Sequence, residues 1–371
     1  MNPPVSLAAP SIGRRAPPVT WCSPVWPPVP HGGAGSTGPV THDFSSNRNA
    51  AGPLPSVARA VLRADRCAYP DPGYHALREQ LGAWHGVPAC RVLIVASASA
   101  FIQSFTQAAA VWRGVQQVRV PMPGYGDYAA AARHNGLRLT GYTVGFDGAA
   151  NPAPEPAPAD AHTLCWFTEP HSPLGSAGGA ALVRALRQAH QAGALVVLDL
   201  AYQPLRLDGQ GLPAGAEWAW QLWSPNKAAG LTGVRAAYAI APPDQADVVA
   251  ALLASAPSWP VGADGVALLG AFATAAAQAE MALCRQPLRA WRQALRATLQ
   301  AADWHLHMAA SVTPFFVAHP ANAWDVDRAR AAGVQLRDAT SLGLPGAWRL
   351  CAQPPASLAA LAALLNPEID P

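Results

Sequence analysis

Residues 224–238 read Ser-Pro-Asn-Lys-Ala-Ala-Gly-Leu-Thr-Gly-Val-Arg-Ala-Ala-Tyr and contain Lys227, the only lysine in a chain of 371 residues. Of the 25 lysine and arginine residues, all the others are arginine. An ammonium group can lose its proton and attack a carbonyl, whereas a guanidinium cannot be deprotonated in a protein. Lys227 is therefore our candidate catalytic residue. The alternative is a surface lysine that happens to remain in an arginine-rich chain, and the neighbouring motifs decide between the two.

The composition is typical of a globular protein with little surface charge. Charged residues make up only 13% of the chain, and the net charge of +3 includes no basic run, which argues against binding to nucleic acid or to a membrane surface. The six cysteines form no Cys-x-x-Cys pair and no cluster with histidine at zinc spacing, so we expect reduced thiols and no metal. Without a secretory start or a run of 18 apolar residues, we expect a cytoplasmic protein without a membrane span.

The length of the chain predicts two lobes that follow an extended arm. Residues 1–40 are rich in proline and show no periodicity, which is typical of such an arm. We expect residues 41–260 to form a large domain, with its N-terminal segment contributing to the small lobe, and residues 261–371 to form a small C-terminal domain.

Apolar runs alternate with amphipathic stretches through the large domain. This alternation predicts an α/β fold in which helices cover both faces of a mostly parallel sheet. The predicted strands are 92–95, 118–120, 163–167, 194–200 and 236–241. One helix is predicted to begin at residue 55, and four more are predicted over 74–85, 98–112, 125–135 and 178–192. A smaller α+β lobe is predicted from a helical pattern over 265–302 that is broken near Pro287, strands 313–318 and 348–351, and a closing helix 357–365.

Polar side chains follow several of the predicted strands, where ligands bind in α/β sheets. Such a set suits an aldehyde cofactor that carries a pyridine ring and a phosphate. A carboxylate at Asp199 would keep the pyridine nitrogen protonated and the ring electron-poor. Tyr202 can donate to the phenolate oxygen of the ring, and Tyr125 can stack on its face. Lys227 would bond to the aldehyde and later move the substrate proton.

The phosphate of such a cofactor needs its own donors. Backbone amides at Ala98 and Ser99, where a predicted helix begins, would bind the dianion together with Ser224 and the guanidinium of Arg235. Taken singly, each of these residues has an ordinary explanation, because an aspartate at a strand end is often a loop cap and tyrosines often only pack. Their joint order around a unique lysine favours the cofactor site.

These motifs resemble a known family. Ser224-x-x-Lys227 with Arg235, Asp199-x-x-Tyr202 and the Pro-Leu-Gly loop at 173–175 resemble pyridoxal-phosphate enzymes of the fold-type I aminotransferase superfamily, class I/II, in the branch that contains histidinol-phosphate aminotransferases. Three further stretches are similar to threonine-phosphate decarboxylases of cobalamin biosynthesis: His-Gly-Gly at 31–33, Asp-Phe-Ser-Ser-Asn at 43–47 leading to Gly-Pro-Leu-Pro at 52–55, and residues 337–346. The resemblance covers about residues 31–365.

The resemblance implies a pyridoxal-phosphate transferase fold of type I, pyridoxal 5'-phosphate as cofactor and a small amino-acid phosphate as substrate. By this resemblance, Arg349 grips the α-carboxylate of the substrate and Arg337 faces its phosphate. His31 reaches the same phosphate from the N-terminal arm. Tyr69 reaches the cofactor phosphate of the neighbouring subunit, so the resemblance also implies a homodimer with a shared active site.

The chain departs from the family pattern at three places. The family loop Asn-Asn-Pro-Thr-Gly is replaced by His-Ser-Pro-Leu-Gly at 171–175, so that the shorter Ser172 stands where an asparagine donates to the phenolate oxygen. Ala-Ser-Ala-Ser at 96–99 replaces a glycine-rich helix start, and Asn226 precedes the lysine where serine or threonine is common. These changes bear on substrate and rate more than on cofactor binding.

Three functions remain open from the sequence. The first is decarboxylation of L-threonine O-3-phosphate to aminopropanol phosphate, the reaction of a carboxy-lyase. The second is an aminotransferase of the histidinol-phosphate type, which uses the same residues with a different substrate pose. The third is a catalytically poor relative that binds the cofactor without turnover, an interpretation that Ser172 and the missing glycines motivate.

Overall fold

The computed structural model describes residues 40–143, 159–209, 211–307 and 310–365. The predicted role of His31 and nearly all of the predicted arm lie outside these residues. The helices are Pro55–Leu62 (α1), His75–His85 (α2), Ala98–Arg113 (α3), Gly126–His134 (α4), Gly179–Gln191 (α5), Ala246–Ser255 (α6), Ala263–Phe272 (α7), Ala275–Ala301 (α8), Val326–Ala331 (α9) and Pro355–Leu365 (α10). The strands are His42–Asp43 (β1), Val92–Val95 (β2), Gln117–Met122 (β3), Arg138–Thr143 (β4), Thr163–Thr168 (β5), Leu195–Asp199 (β6), Trp220–Trp223 (β7), Ala237–Ile240 (β8), His305–Leu306 (β9), Phe315–His319 (β10), Val334–Gln335 (β11), Arg337–Asp338 (β12) and Trp348–Cys351 (β13).

The larger sheet has seven strands in the order β2-β8-β7-β6-β5-β3-β4. Neighbours from β7 to β4 are parallel, and β8 is antiparallel to both of its neighbours. Every residue of the central strands β5 and β6 is buried, because side chains pack on both faces of the sheet. The predicted α/β fold with a mostly parallel sheet is therefore confirmed.

A smaller antiparallel sheet has the order β12-β13-β10-β9, and β1 pairs with β11 beside it. Its apolar face forms a separate core in which Phe44, Phe316 and Leu350 are buried. Phe44 comes from the segment that precedes the large sheet. The expected N-terminal contribution to the small lobe and the domain boundary at residue 260 stay predictions.

The predicted break near Pro287 is wrong. The helical pattern is divided instead between α7 and α8, where the Thr274 side chain accepts a hydrogen bond from Ala277 N and caps α8. Proline removes one helical hydrogen bond, but Met281 and Leu288 on either side of it are fully buried, and this packing keeps α8 continuous. In the described part of the chain, no single helix is long and apolar enough to cross a membrane; α7 and α8 pass such a test only as a pair bent by 74°.

The sequence patterns did not reveal β4, β7 or α6. Strand β4 lies at the edge of the sheet, and its mixture of exposed and half-buried residues gives no apolar run. Strand β7 has only four residues, Trp-Gln-Leu-Trp, which is too short for a periodicity to be recognised. The tryptophans of β7, Trp220 and Trp223, are buried, as expected for packing residues.

Candidate active site

The site begins where β5 and β6 end side by side. Thr168, the last residue of β5, is the register partner of Asp199, the last residue of β6. The amide of Glu169 then donates to the carbonyl of Asp199 at 2.9 Å, so the two loops leave the sheet together. Parallel strands place their carboxyl ends at one edge, which is why residues 31 positions apart in sequence meet there.

Asp199 is held at this edge in a fixed orientation. Its Oδ2 accepts a hydrogen bond from the Tyr128 hydroxyl at 2.6 Å, and its Oδ1 accepts one from Ala201 N at 2.8 Å. Burial raises the pKa of Asp199, while these hydrogen bonds and the charge of Lys227 oppose the shift. With this fixed orientation, the carboxylate can accept a hydrogen bond from a protonated pyridine nitrogen, which is the role expected of it.

Tyr128 is a site residue that the sequence reasoning missed. It lies on α4 and stacks on Trp166 with 4.9 Å between the ring centroids. Complete burial next to Asp199 raises its pKa well above the ordinary value, so it stays a neutral hydrogen-bond donor. The available clue was its spacing, because Tyr125 and Tyr128 are three residues apart, a spacing that places side chains on the same side of a helix.

Lys227 lies in the loop after β7, close to two of its predicted partners. Its Nζ is 3.4 Å from Ser224 Oγ and 5.3 Å from the centroid of the Tyr202 ring. The charge of Lys227 also acts to lower the pKa of Asp199. The structure thus brings together the lysine, the aspartate and the tyrosine that the sequence predicted as neighbours.

The lysine loop is fixed by the segment that precedes α1. Asn49 N donates to the carbonyl of Lys227 at 2.9 Å, and Asn49 Nδ2 donates to the carbonyl of Ala228 at 3.1 Å. Gly230 then turns the chain with φ of +73°, and a Cβ atom there would lie 2.8 Å from the carbonyl oxygen of Gly52. Only glycine combines this backbone angle with this close approach.

The start of α3 carries the residues predicted to bind phosphate. Ser97 caps the helix by accepting a hydrogen bond from Ala100 N at 3.1 Å, and Ala98 and Ser99 form its first turn. The amides of a first turn have no acceptors inside the helix, so they can bind an anion. Ser99 Oγ lies 3.1 Å from the Tyr125 hydroxyl, which joins this helix start to the predicted stacking residue.

Arg235 and Tyr69 line one open cavity of about 370 Å³. Tyr69 is 79% exposed and stacks on Trp259 with 4.4 Å between the ring centroids. In the described part of the chain, no hydrogen bond or ion pair holds the exposed guanidinium of Arg235. Its predicted contact with the cofactor phosphate stays a prediction, as does the predicted contact of Tyr69 with the neighbouring subunit.

Two buried arginines lie opposite each other in the small sheet, because Arg337 of β12 is the register partner of Arg349 of β13. Arg349 Nη2 donates to the carbonyl of Ser45 at 3.0 Å, and its buried Nε has no hydrogen-bond partner among the described residues. Arg337 Nη2 donates to Ser341 Oγ at 2.7 Å. Burial and the charge of Arg349 lower the pKa of Arg337, and Tyr125 is close enough to oppose that shift.

The arginines are connected to the lysine through aromatic rings. The guanidinium carbon of Arg349 lies 5.9 Å from the centroid of the Phe315 ring. Phe315 meets Tyr202 edge to face at 4.6 Å, and Tyr202 lies next to Lys227. These contacts make the arginine pair one end of the site that Lys227 and Asp199 form at the other end.

Ser172 lies buried in the loop that follows β5. The loop is closed by hydrogen bonds from His171 N to Ser176 O at 2.8 Å and from Gly175 N to His171 O at 2.7 Å. Burial lowers the pKa of His171 to about 4, although the nearby Pro123 carbonyl opposes the shift, so His171 is neutral at physiological pH.

Buried polar atoms without partners mark where a ligand would fit. Neither side-chain polar atom of Asn47 has a hydrogen-bond partner in the described residues, and neither does Thr168 Oγ1. Asn47 lies between Ser45, which binds Arg349, and Asn49, which binds the lysine loop. Leaving such groups unpaired costs about 1–3 kcal/mol each, so a bound ligand is the natural partner. Both residues were missed as site residues, although Asn47 falls in a motif that the sequence singled out.

The donor set fits pyridoxal 5'-phosphate. Asp199 supplies the carboxylate for the ring nitrogen, Lys227 the amine for the aldehyde and Tyr202 the phenol beside them, while the first turn of α3 supplies amides for the phosphate. The unpartnered hydroxyl of Thr168 at the same strand edge adds a further donor.

Comparison with known proteins agrees with this geometry. The family model of aminotransferase class I and II matches residues 41–365. A histidinol-phosphate aminotransferase from Natronomonas pharaonis is 28% identical over 315 residues, which are 83% of this chain and 85% of that protein.

Solved structures show the same fold. The L-threonine-O-3-phosphate decarboxylase from Porphyromonas gingivalis superposes with a TM-score of 0.71 at 21% identity, covering 87% of this chain and 98% of that chain. Histidinol-phosphate aminotransferase from Sinorhizobium meliloti, solved in complex with pyridoxal-5'-phosphate, gives a TM-score of 0.68 at 22% identity, covering 86% and 88%. Because the family model spans most of the chain, the protein belongs to the class I and II aminotransferase family, whose cofactor is pyridoxal 5'-phosphate.

Proposed function

We propose that the protein decarboxylates L-threonine O-3-phosphate, releasing carbon dioxide and aminopropanol phosphate. The observation that carries this proposal is the pair of buried guanidiniums of Arg337 and Arg349, which are direct cross-strand partners. Such partners lie about 4.5–5.5 Å apart at their Cα atoms. The charge of Arg349 also lowers the pKa of Arg337, so the two cations are neighbours, and such a pair suits a short substrate that carries both a carboxylate and a phosphate.

Each arginine has a separate task toward this substrate. Arg349 binds the α-carboxylate, for which its unpartnered Nε and its remaining Nη hydrogens are available donors. Arg337 binds the phosphate at the other end. Two anion contacts would fix the orientation of the substrate, and we propose that this orientation favours breakage of the bond from the α-carbon to the carboxylate.

The remaining residues of the site hold or transfer protons. When bound, pyridoxal phosphate supplies an electron sink for the pair left behind by the carboxylate. Asp199 holds the proton on the ring nitrogen, and the Tyr128 hydroxyl keeps the carboxylate turned toward it. Lys227 Nζ delivers the proton that replaces carbon dioxide on the substrate carbon.

A second candidate function is an aminotransferase of the histidinol-phosphate type. The 28% identity to the Natronomonas pharaonis histidinol-phosphate aminotransferase favours it, since that relative covers most of the chain. In this case Arg349 would bind a carboxylate of the 2-oxo acid, and Arg337 the phosphate of histidinol phosphate. The same lysine and aspartate would serve both reactions, so only the products separate them.

We also infer that the enzyme works as a homodimer with a shared site. Tyr69 is an exposed aromatic residue at the rim of the cavity that Arg235 lines, which is where a partner chain could add a phosphate contact. Sedimentation of the purified holoenzyme tests the assembly. A monomer with full activity would contradict the shared site.

The deciding experiment uses the cofactor-loaded enzyme with two substrates in parallel. L-Threonine phosphate should release carbon dioxide, and histidinol phosphate with 2-oxoglutarate should give no glutamate. Lys227→Ala should lower the rate at least about 10²–10⁴-fold, because the proton-transfer group is lost. Lys227→Arg, which keeps a positive charge, should be equally inactive.

Other outcomes identify the other functions. Glutamate formation without carbon dioxide would establish the aminotransferase. Bound cofactor without either product would establish a catalytically poor relative.

A further inference from the structure

A second cavity, of about 310 Å³, lies between the turn that follows β6 and one face of α8. We call it the basic pocket, because the side chains of Arg206, Arg285 and Arg289 line it. Among its described lining residues none is acidic, and none belongs to the cofactor or substrate groups discussed above. The basic pocket is therefore a separate site that the proposed reaction does not use.

Two of these arginines already have carboxylate partners. Arg206 pairs with buried Glu169, and its Nε donates to Gln203 Oε1 at 3.2 Å. Arg289 Nε lies 3.2 Å from Asp208 Oδ1. Two further contacts go to backbone carbonyls, because Arg206 Nη1 donates to Asp208 O at 3.3 Å and Arg289 Nη2 donates to Leu207 O. Both guanidiniums are thus oriented by fixed contacts, and each keeps some of its five hydrogens that these contacts do not use.

Arg285 has no such partner. Its Nη2 is 3.5 Å from the Pro204 carbonyl, and in the described part of the chain no carboxylate lies within ion-pair distance of it. Arg289 follows one helical turn later and Arg292 after that, and these two arginines share the carboxylate of Asp208, which Arg292 binds at 2.6 Å. Like charges at this spacing destabilise a helix, and burial further disfavours the charge on Arg285.

We propose that the basic pocket binds a phosphate group, carried by inorganic phosphate or by a small phosphorylated metabolite. The guanidinium fork matches phosphate oxygens in pairs, and Arg285 can offer its Nε and Nη1, which have no partner among the described residues. The volume lies at the lower end of the range for small-molecule sites. One dianion would supply the negative charge that the arginines of α8 lack.

The position of the basic pocket gives the bound phosphate a structural effect. The turn after β6 is joined to the Ser172 loop, because Leu207 N donates to Val312 O at 2.7 Å and Val312 N donates to Gly175 O at 2.8 Å. Arg289 and Arg292 already connect this turn to α8 through Asp208, and a phosphate held by Arg206 and Arg285 would add a further connection. Binding to the folded state alone must also stabilise it.

Equilibrium dialysis of radiolabelled inorganic phosphate against the holoenzyme tests the proposal. The measurements use the Arg337→Gln background, which removes the phosphate contact proposed for the substrate. We expect one phosphate per chain, bound about tenfold more weakly after Arg285→Gln, since a hydrogen-bonded charge is lost. Arg113→Gln is the matched control, because it removes an exposed arginine whose partner is Asp247 of α6.

Thermal unfolding separates a binding defect from a folding defect. Phosphate should raise the unfolding temperature of the Arg337→Gln protein and of its Arg113→Gln derivative, but not that of its Arg285→Gln derivative.

Sulfate and glycerol 3-phosphate are parallel probes: tighter binding of glycerol 3-phosphate than of phosphate would identify a phosphorylated metabolite as the occupant, and the reverse would identify the free ion. Equal phosphate affinity in the Arg285→Gln and Arg113→Gln derivatives would overturn the proposal. Neither result depends on which reaction the enzyme catalyses.

Discussion

The two ends of the active site differ in how their polar groups are used. At the cofactor end, both oxygens of Asp199 accept hydrogen bonds, and Lys227 lies against Ser224 and Tyr202. At the substrate end, the guanidinium of Arg349 keeps a buried Nε without a partner in the described residues. The groups around the ring nitrogen and the lysine are thus organised before any ligand binds, whereas the substrate end offers charge and donors that a ligand completes. The difference implies that variants at the cofactor end should affect chemistry and those at the substrate end should affect affinity.

The largest effect after loss of the lysine is expected from Asp199→Asn. Replacing the carboxylate should lower the turnover of the holoenzyme by about 10²–10³-fold, since a preorganised charge at the reacting centre is lost. Tyr128→Phe keeps the carboxylate and should cost less. Unchanged turnover in Asp199→Asn would show that the two ends of the site do not differ in this way.

The same variant should have the opposite effect on the stability of the cofactor-free protein. Burial raises the pKa of Asp199 above its ordinary value of 3.8, so the folded chain holds this proton more tightly than the unfolded chain. The contribution of the group to stability is therefore present below pH 3.8 and is lost as the pH rises through the folded-state pKa. Asp199→Asn removes the ionisable group and therefore this loss of stability at higher pH. Denaturant titrations should show a gain over the wild type at pH 7 that shrinks as the pH is lowered towards 4.

A smaller effect is expected from Arg349→Gln, which should weaken the substrate end alone. Loss of a hydrogen-bonded charge pair of about 1.5–3 kcal/mol should lower kcat/KM by about 10–100-fold, mainly through KM. Arg337→Gln should act similarly on L-threonine phosphate but hardly on L-threonine, which has no phosphate. Arg330→Gln, an exposed arginine of the small lobe, is the control. A loss confined to kcat would show that Arg349 acts on the chemistry instead.

The last effect, on stability rather than on turnover, concerns the loop that positions the lysine. Gly230→Ala should lower the free energy of unfolding by about 1–3 kcal/mol for the strained backbone alone, with an additional loss from the contact with Gly52. Gly136→Ala is the matched control, because Gly136 has a similar φ of +66° with nothing within 4 Å of the added Cβ. Equal losses in thermal or denaturant unfolding would show that the close approach to Gly52 is relaxed without penalty.

Local patterns were sufficient where a short segment carries its own information. The apolar run of β6 predicts a central strand, because a strand buried on both faces needs apolar side chains throughout. The Asp199-x-x-Tyr202 and Ser224-x-x-Lys227 motifs predict neighbours at strand ends. The Pro287 break failed because a local rule for proline was outweighed by burial on both sides of it, which only the packed core provides.

The sequence by itself determined the α/β fold class, the unique lysine and the identity of the residues around it, since these depend on periodicity and residue chemistry. The tertiary structure alone decided which distant groups face each other: Tyr128 on Asp199, Asn49 on the lysine loop, and Arg337 opposite Arg349. The same is true of the arginines that line the basic pocket. Such pairings depend on strand register and on helix packing, and both follow from the collapse of the whole chain around its core rather than from any local segment.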